Sequence, residues 1–287
     1  MDIAILTKIL SLALAIIMLG LGLHLTLSDF ARVIRYPKAA FIGLFCQLLI
    51  LPATAFALCK IFSLSGTLAV GVMLLSASPG GVTANLYSHL FKGDVALNIT
   101  LTAVNSLLSL VTLPLIVTFS LTHFLAANQQ VPLPTQKVIQ VFAIVIGPVS
   151  IGMLIRHFAA SLAAKLDKPV KILSVIALVL AIVVAVVDQR ASLGENFKNV
   201  GVLMLLFNSL SLIVGYVIPR FFGVEKPQAI AVGMEIGIHN GTLAIAIATT
   251  VLMNTAIAMP AAIYSILMFF TAAFFGYAVS RKGTSHT

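Results

Sequence analysis

The feature that most constrains this chain is a series of apolar runs, each long enough to cross a membrane and separated by short polar connections. A helix of about 20 apolar residues spans the hydrocarbon layer of a bilayer. Apolar residues make up 60% of the 287 and charged residues only 9%, whereas a soluble domain holds about 25% charged residues. We therefore predict an all-α protein embedded in a lipid bilayer.

Nine such runs occur, and we predict one transmembrane helix in each. Their bounds are 3–27, 39–61, 67–91, 94–122, 135–157, 170–190, 200–222, 228–253 and 257–279. Together they form one transmembrane domain over 1–287. The connection "AANQQVPLPT" is the most polar and contains two prolines, so it is the best candidate for a boundary between two halves, about 1–123 and 135–280.

The basic residues predict how the chain is oriented in the membrane. The net charge is +9, but the 17 Lys and Arg are spread over many short connections, which argues against a nucleic-acid partner. Twelve of the 17 fall on one side of the predicted membrane. Because cytoplasmic connections are enriched in Lys and Arg, we expect the N-terminus outside and the C-terminus in the cytoplasm.

Two of the predicted helices are interrupted near their centres. The third is interrupted at Ser78 to Gly81 ("SPGG"), and the eighth at His239 to Gly241 ("HNG"). Both contain "AVG", at 69–71 and 231–233, and both break about ten residues later. Pro removes a backbone donor and Gly weakens a helix interior, so we predict that both centres are unwound. Such backbone is tolerated at membrane depth only where protein or a polar cavity covers it.

The two interruptions occupy matching places in a predicted repeat. "KILS" occurs at 8–11 and again at 171–174. If the last five helices form one unit, and the first four are the same unit without its first helix, each broken helix is fourth in its unit. Five helices per unit invert the second copy relative to the first. Paired breaks in inverted halves point to the binding site of a secondary transporter.

Glu235 is the acidic residue placed deep inside a predicted helix, at the second interruption. Burying a lone carboxylate in hydrocarbon costs several kcal/mol, and a bound cation would offset that cost. We therefore predict that Glu235 is a cation ligand. The alternative is a buried carboxylate satisfied by Gln47 or Asn85 without an ion.

At these residues the chain resembles the bile acid:sodium symporter family over nearly its full length. The family motifs "PGG-x-x-x-N" and "E-x-G-x-Q-N" correspond to Pro79 to Asn85 and to Glu235 to Asn240. The segment "GLFCQLLILPATA" is similar to the family helix that carries a sodium-site glutamine, here Gln47. The resemblance implies a nine-helix form, an inverted repeat (4+5), two crossed broken helices and a bacterial inner (plasma) membrane. It also implies a core of helices two to four and seven to nine, and a panel of helices one, five and six.

The resemblance implies Na+ as the coupling ion, with one or two sites. The first site would use side chains and one backbone carbonyl, at Asn85, Asn98, Thr102, Glu235 and Ala84. Ala84 stands where the family has a serine, so it supplies only its carbonyl oxygen. Asn105 and Ser109 lie on the same helical face as Thr102; they either extend a polar lining or pack against neighbouring helices.

The second implied site contains the chain's main departure from the family pattern. It would use Gln47, Glu235, the backbone carbonyls of Ile236 and Ile238, and His239. His239 stands where the family has a glutamine, so it offers nitrogen to a cation that prefers oxygen. His239 either weakens the second site, couples a proton near neutral pH, or only packs.

The two half-helix starts are predicted to bind the substrate. Backbone N–H groups and the positive end of the helix dipole make a helix start a site for anions. One start is formed by Gly80, Gly81, Val82 and Thr83, and the other by Asn240, Gly241 and Thr242. We expect a symporter that imports a small organic anion by alternating access: a bile-acid-like compound, a keto or hydroxy acid, or a pantoate-like acid.

Three other functions fit the sequence less well. A proton-coupled exporter of the related arsenite or auxin type is favoured by His239, but "SASPGGVTAN" lacks the cysteine of the arsenite branch. An enzyme would need clustered acids or a metal-binding pair, and Glu235 stands alone, so we expect no enzyme. A channel would need rings of repeated ligands. Cys46 and Cys59 lie in one apolar run and predict neither a disulfide nor a zinc site.

Overall fold

The computed structural model describes residues 32–125, 135–166 and 193–281, with shorter stretches between 12 and 26 and between 168 and 176. Within those ranges the regular structure is helical, and one isolated β-bridge joins Gly80 to His239. The predicted first and sixth spans and the connection at 126–134 lie wholly or largely outside the described residues.

Nine of the described helical segments are numbered here in chain order. They are α1 Pro37–Ile61, α2 Gly66–Ser76, α3 Val82–Leu90, α4 Val95–Phe124, α5 Thr135–Phe158, α6 Leu193–Phe221, α7 Lys226–Gly237, α8 Gly241–Val251 and α9 Thr255–Arg281. A π-helical turn occupies Cys46–Ile50 within α1, and another, Ile247–Val251, completes α8. Four of the described segments contain an apolar stretch long enough to span a bilayer: Pro37–Ile61, Val95–Phe124, Val200–Phe221 and Thr255–Arg281.

The predicted spans agree with these bounds to within a few residues. The α4 helix begins after Asp94, whose side chain accepts a hydrogen bond from the backbone N–H of Leu97 at 3.0 Å. The seventh predicted span, 200–222, matches the apolar stretch Val200–Phe221. The α6 helix itself begins earlier, at Leu193, because hydropathy marks only the apolar part of a helix and the more polar segment 193–199 continues α6 beyond that part.

Both predicted interruptions are confirmed. The third predicted span consists of α2 and α3 with a break over 77–81, and the eighth consists of α7 and α8 with a break over 238–240. The two breaks lie against each other: Gly81 N donates to Ile238 O at 2.8 Å, and Asn240 N donates to Pro79 O at 2.8 Å. Each break therefore supplies hydrogen-bond partners that the other loses by leaving the helix.

Long helices surround the paired breaks. The α4 helix contacts α2 and α7, α6 packs on α7, and α9 packs on α2 and α8. Close approach requires glycine at two of these contacts: a Cβ on Gly71 would lie 2.3 Å from Ile257 O of α9, and one on Gly237 would lie 2.3 Å from Leu212 of α6. The largest hydrophobic cluster fills the space among these helices. A separate small cluster contains Leu23, Ala163 and Val170.

Candidate functional site

The centre of the site is Glu235, which lies two residues before the end of α7 and is fully buried. Thr102 Oγ1 donates to Glu235 Oε2 at 2.6 Å, and Asn105 Nδ2 donates to Oε1 at 3.2 Å. The backbone of Gly80, in the first break, lies directly against the carboxylate. One side chain therefore joins α4, α7 and the first break.

The first break approaches Glu235 so closely that a side chain would not fit at Gly80. A Cβ built on Gly80 would lie 2.3 Å from Glu235 Cδ, well inside van der Waals contact. At Gly81 the nearest atom to such a Cβ is His239 O at 3.5 Å, an ordinary contact. Glycine at 80 is thus needed for the contact between the first break and the carboxylate.

The α4 helix presents a polar face to α7. Asn98, Thr102 and Asn105 follow one another at i, i+4 and i+7, and all three are buried. Asn98 Nδ2 donates to Ala231 O at 2.7 Å, one helical turn before Glu235. The predicted residues Asn98 and Thr102 are therefore brought to α7, and Asn105 joins them as a direct partner of Glu235.

Several side-chain oxygens near the breaks are buried without a partner. Among the residues that the structure describes, these include Gln47 Oε1, Asn85 Oδ1, Asn98 Oδ1 and Asn105 Oδ1. The amide nitrogens of Gln47, Asn98 and Asn105 are all used as donors. An unpaired buried acceptor costs about 1–3 kcal/mol. A cation with oxygen ligands would satisfy such acceptors, and Glu235 supplies the matching negative charge.

Gln47 and His239, predicted for a second site, meet at one carbonyl of the first break. Gln47 Nε2 donates to Ser78 O at 3.0 Å, and His239 Nδ1 lies 3.0 Å from the same oxygen. The His239 ring stacks on the Phe207 ring with 5.7 Å between ring centroids. It also contacts the Tyr264 ring, with 5.4 Å between those centroids. His239 Nε2 is buried without a partner in the described part of the chain.

The backbone positions predicted as ligands are buried at the meeting point of the breaks. Ile236, Ile238 and Ala84 are each 0% exposed. Ile238 O accepts the hydrogen bond from Gly81 N at 2.8 Å, and Ala84 N donates to Gly81 O at 2.9 Å. The Ile238 carbonyl thus holds the two breaks together, and a carbonyl oxygen can still accept a second contact.

The two half-helix starts differ in how their backbone N–H groups are satisfied. At the start of α8, Asn240 Oδ1 accepts from Leu243 N at 3.0 Å. At the start of α3, Gly81 has no side chain to cap the helix. Thr83, Asn240 and Thr242 are partly exposed, whereas Gly241 is buried against Ser265 of α9.

Two residues that hold the end of α7 were missed in the sequence. Asn208 Nδ2 donates to Gly237 O at 2.7 Å, and Tyr264 OH donates to the same oxygen at 2.9 Å. Thr271 in turn donates to Asn208 Oδ1. The available signal was Asn208 itself, an amide inside the apolar run at 200–222.

Comparison with known proteins places this chain beside sodium-dependent transporters. Residues 11–196 match the Sodium Bile acid symporter family. The chain is 30% identical to "Uncharacterized sodium-dependent transporter YocS" of Bacillus subtilis (strain 168) over 254 residues, which are 88% of this chain and 77% of that protein.

Two eukaryotic relatives are similar at lower identity. The "Ileal sodium/bile acid cotransporter" of Homo sapiens is 27% identical over 284 residues, 97% of this chain and 80% of the human protein. The "Probable sodium/metabolite cotransporter BASS1, chloroplastic" of Arabidopsis thaliana is 27% identical over 254 residues, 88% of this chain. The alignment covers only 62% of the length of that plant protein.

Proposed function

Because the chain belongs to the sodium bile acid symporter family, which comprises transporters rather than enzymes, we propose that it is a sodium-coupled symporter that imports a small organic anion. The observation that carries this proposal is the fully buried Glu235 at the meeting point of two broken helices. A buried carboxylate with unpaired oxygens near it is well suited to a hard monovalent cation.

The first sodium site would be formed between α3, α4 and α7. Its ligands would be side-chain oxygens and one backbone carbonyl, at Asn85, Asn98, Thr102, Glu235 and Ala84. The unpaired buried oxygens of Asn85 and Asn98 support this set. The hydroxyl of Thr102, already 2.6 Å from the carboxylate, supports it as well.

A second and weaker sodium site would lie between α1 and the second break. Its ligands would be Gln47, Glu235, His239 and the carbonyls of Ile236 and Ile238. The unpaired Gln47 Oε1 supports it. His239 weakens it, because imidazole offers a nitrogen where an amide would offer an oxygen.

The anion would bind where the second half of each broken helix begins. The residues concerned are Gly80, Gly81, Val82 and Thr83 at the start of α3, and Asn240, Gly241 and Thr242 at the start of α8. Sodium held by Glu235 would fix the two breaks against each other and so order both helix starts. This dependence would couple anion binding to sodium binding.

We further propose nine transmembrane helices arranged as an inverted repeat, with halves of about 1–123 and 135–280. The core would comprise α1 to α4 and α6 to α9, and it would move against a panel containing α5. The separate hydrophobic cluster of Leu23, Ala163 and Val170 supports that division. The N-terminus would lie outside a bacterial inner membrane and the C-terminus in the cytoplasm.

The proposal is tested by thermal unfolding of the purified chain in detergent. Taurocholate, pyruvate and pantoate are each added in sodium chloride and in potassium chloride. We expect at least one of these anions to raise Tm in sodium and to leave Tm unchanged in potassium. Equal stabilisation in both salts would contradict sodium coupling, and proton-driven efflux from vesicles without sodium would support the exporter instead.

A further inference from the structure

Asn105 has two features that the proposed sodium ligands do not explain. Its Nδ2 donates to Glu235 Oε1 at 3.2 Å, and its Oδ1 is buried without a partner over the described ranges. The residue is 1% exposed. One end of a single buried amide is therefore committed to Glu235, while the other end has an unmet acceptor.

The position of Asn105 on α4 brings that acceptor close to Glu235. Asn105 follows Thr102 by one turn on the same helical face, and these two residues contact the two different oxygens of the carboxylate. Oδ1 and Nδ2 are bonded to the same carbon, so Oδ1 cannot lie far from Glu235 Oε1. A cation beside Glu235 on this side would have both oxygens within reach.

We propose that Asn105 is a further sodium ligand through Oδ1, and that its Nδ2 holds Glu235 in the orientation that the ion requires. This inference rests on the proposed sodium-coupled function. Asn105 supplies a side-chain oxygen in a site where Ala84 offers only a backbone carbonyl. The arrangement satisfies an acceptor that otherwise costs about 1–3 kcal/mol.

A role as hydrogen-bond donor alone would have a different signature. A residue that only positions Glu235 needs its N–H, and replacing that residue lowers the affinity for every cation by the same factor. A ligand needs its oxygen, and its loss changes the preference between ions of different size. The two roles are separated by comparing a variant that removes only the N–H with a variant that removes both the N–H and the oxygen.

The experiment uses the full chain in detergent at pH 8, titrated with sodium chloride or lithium chloride at constant ionic strength with choline chloride. Unfolding is followed with a dye that reacts with the buried thiols of Cys46 and Cys59. The variants are Asn105→Leu, which removes both groups, and Asn105→Asp, which keeps an oxygen. Asn105→Ala replaces Asn105→Leu if the latter does not fold. Ser109→Ala is the matched control, because Ser109 lies on the same face and donates only to Ser106 O.

We expect Asn105→Leu to weaken sodium binding at least tenfold, or about 1.4 kcal/mol, and to change the ratio of sodium to lithium affinity. Ser109→Ala is expected to stay within about threefold of the natural chain, a difference under 1 kcal/mol. Asn105→Asp loses the N–H and adds a negative charge, which changes the affinity for both ions, but it keeps a ligand oxygen and is expected to keep the natural ratio of sodium to lithium affinity. No loss or an unchanged ion ratio in Asn105→Leu, or the same change of ion ratio in Asn105→Asp as in Asn105→Leu, would overturn the assignment.

The sodium response of the natural chain and of Glu235→Gln separates a wrong assignment of Asn105 from a wrong proposed function. If the natural chain responds to sodium and Glu235→Gln does not, the function stands and the Asn105 variants alone decide the ligand role. If the natural chain shows no response to sodium, the function and the ligand role are overturned together.

Discussion

The two breaks pair with each other and yet contribute different chemistry. The first, between α2 and α3, brings a proline and two glycines and no charged side chain. The second, between α7 and α8, brings His239 and Asn240, and Glu235 lies just before it in the last turn of α7. The first break is pressed so closely on Glu235 that no Cβ fits at Gly80. One break thus supplies close backbone approach, and the other supplies the charge and the polar side chains.

This difference separates the roles of the two half-helix starts. The α8 start is capped by its own Asn240 side chain, whereas the α3 start follows Gly81, which has no side chain to offer. Gly81 N and Ala84 N are already used as donors at the α3 start, so the backbone N–H groups of Val82 and Thr83 are the ones that an anion would bind there. We therefore expect the α3 start to contribute more to anion binding, and the region around Glu235 to contribute more to sodium binding.

The largest expected effect comes from a single methyl group on the first break. Gly80→Ala places a Cβ against the Glu235 carboxylate, where the structure leaves 2.3 Å to Cδ. The Glu235 carboxylate must then move away from its contacts with Thr102 and Asn105, so we expect sodium binding to fall more than a hundredfold, about 2.7 kcal/mol. Sodium titration of the purified variant measures this loss.

The matched control is Gly81→Ala, because a Cβ there would lie 3.5 Å from His239 O and in ordinary contact. We expect it to change sodium affinity far less than Gly80→Ala. Similar losses in both variants would mean that glycine is needed for backbone freedom rather than for close approach to Glu235.

A smaller effect is expected at His239, where the second break offers a nitrogen. His239→Gln supplies an amide oxygen at the second sodium site, so we expect sodium affinity to rise about tenfold, which is 1.4 kcal/mol. Sodium titration checks this, with His89→Gln as a control for the same change at an exposed position. Unchanged affinity in His239→Gln would show that the imidazole only packs against Phe207 and Tyr264.

The smallest effect is expected at the cap of α8. Asn240→Ala removes the oxygen that accepts from Leu243 N, and loss of such a cap costs about 1 kcal/mol of stability. Asn240→Ser keeps a capping oxygen and should restore most of that loss. Thermal unfolding without added anion measures both variants, and equal stability of Asn240→Ala and the natural chain would contradict the capping role.

The helices and their interruptions could be predicted because each depends on local sequence. Apolar runs at 39–61 and 94–122 predicted α1 and α4 to within a few residues. Proline and glycine at 79–81, and glycine at 241, predicted where the broken helices unwind. The apolar run at 200–222 likewise predicted the span Val200–Phe221, but not the extension of α6 to Leu193, because a polar segment that continues a helix beyond the membrane leaves no hydropathy signal.

The partners of the site could be predicted only in part, because they depend on contacts between distant helices. The resemblance pointed to Thr102 and Glu235, which lie in hydrogen-bond contact across 133 positions of sequence. Nothing local distinguishes Asn105, which contacts Glu235, from Ser109, which bonds to its own helix. Asn208 and Tyr264 converge on Gly237 O only because α6 and α9 both pack against α7.

The central claim is that sodium binds at Glu235 because of the charge on its carboxylate. The most direct measurement compares sodium titrations of the natural chain and Glu235→Gln, which keeps the shape and an oxygen but removes the charge. Both are followed by thermal unfolding in detergent, with potassium chloride as the reference salt. We expect the natural chain to be stabilised by sodium and Glu235→Gln to show no difference between sodium and potassium. Retained sodium stabilisation in a folded Glu235→Gln would contradict the claim.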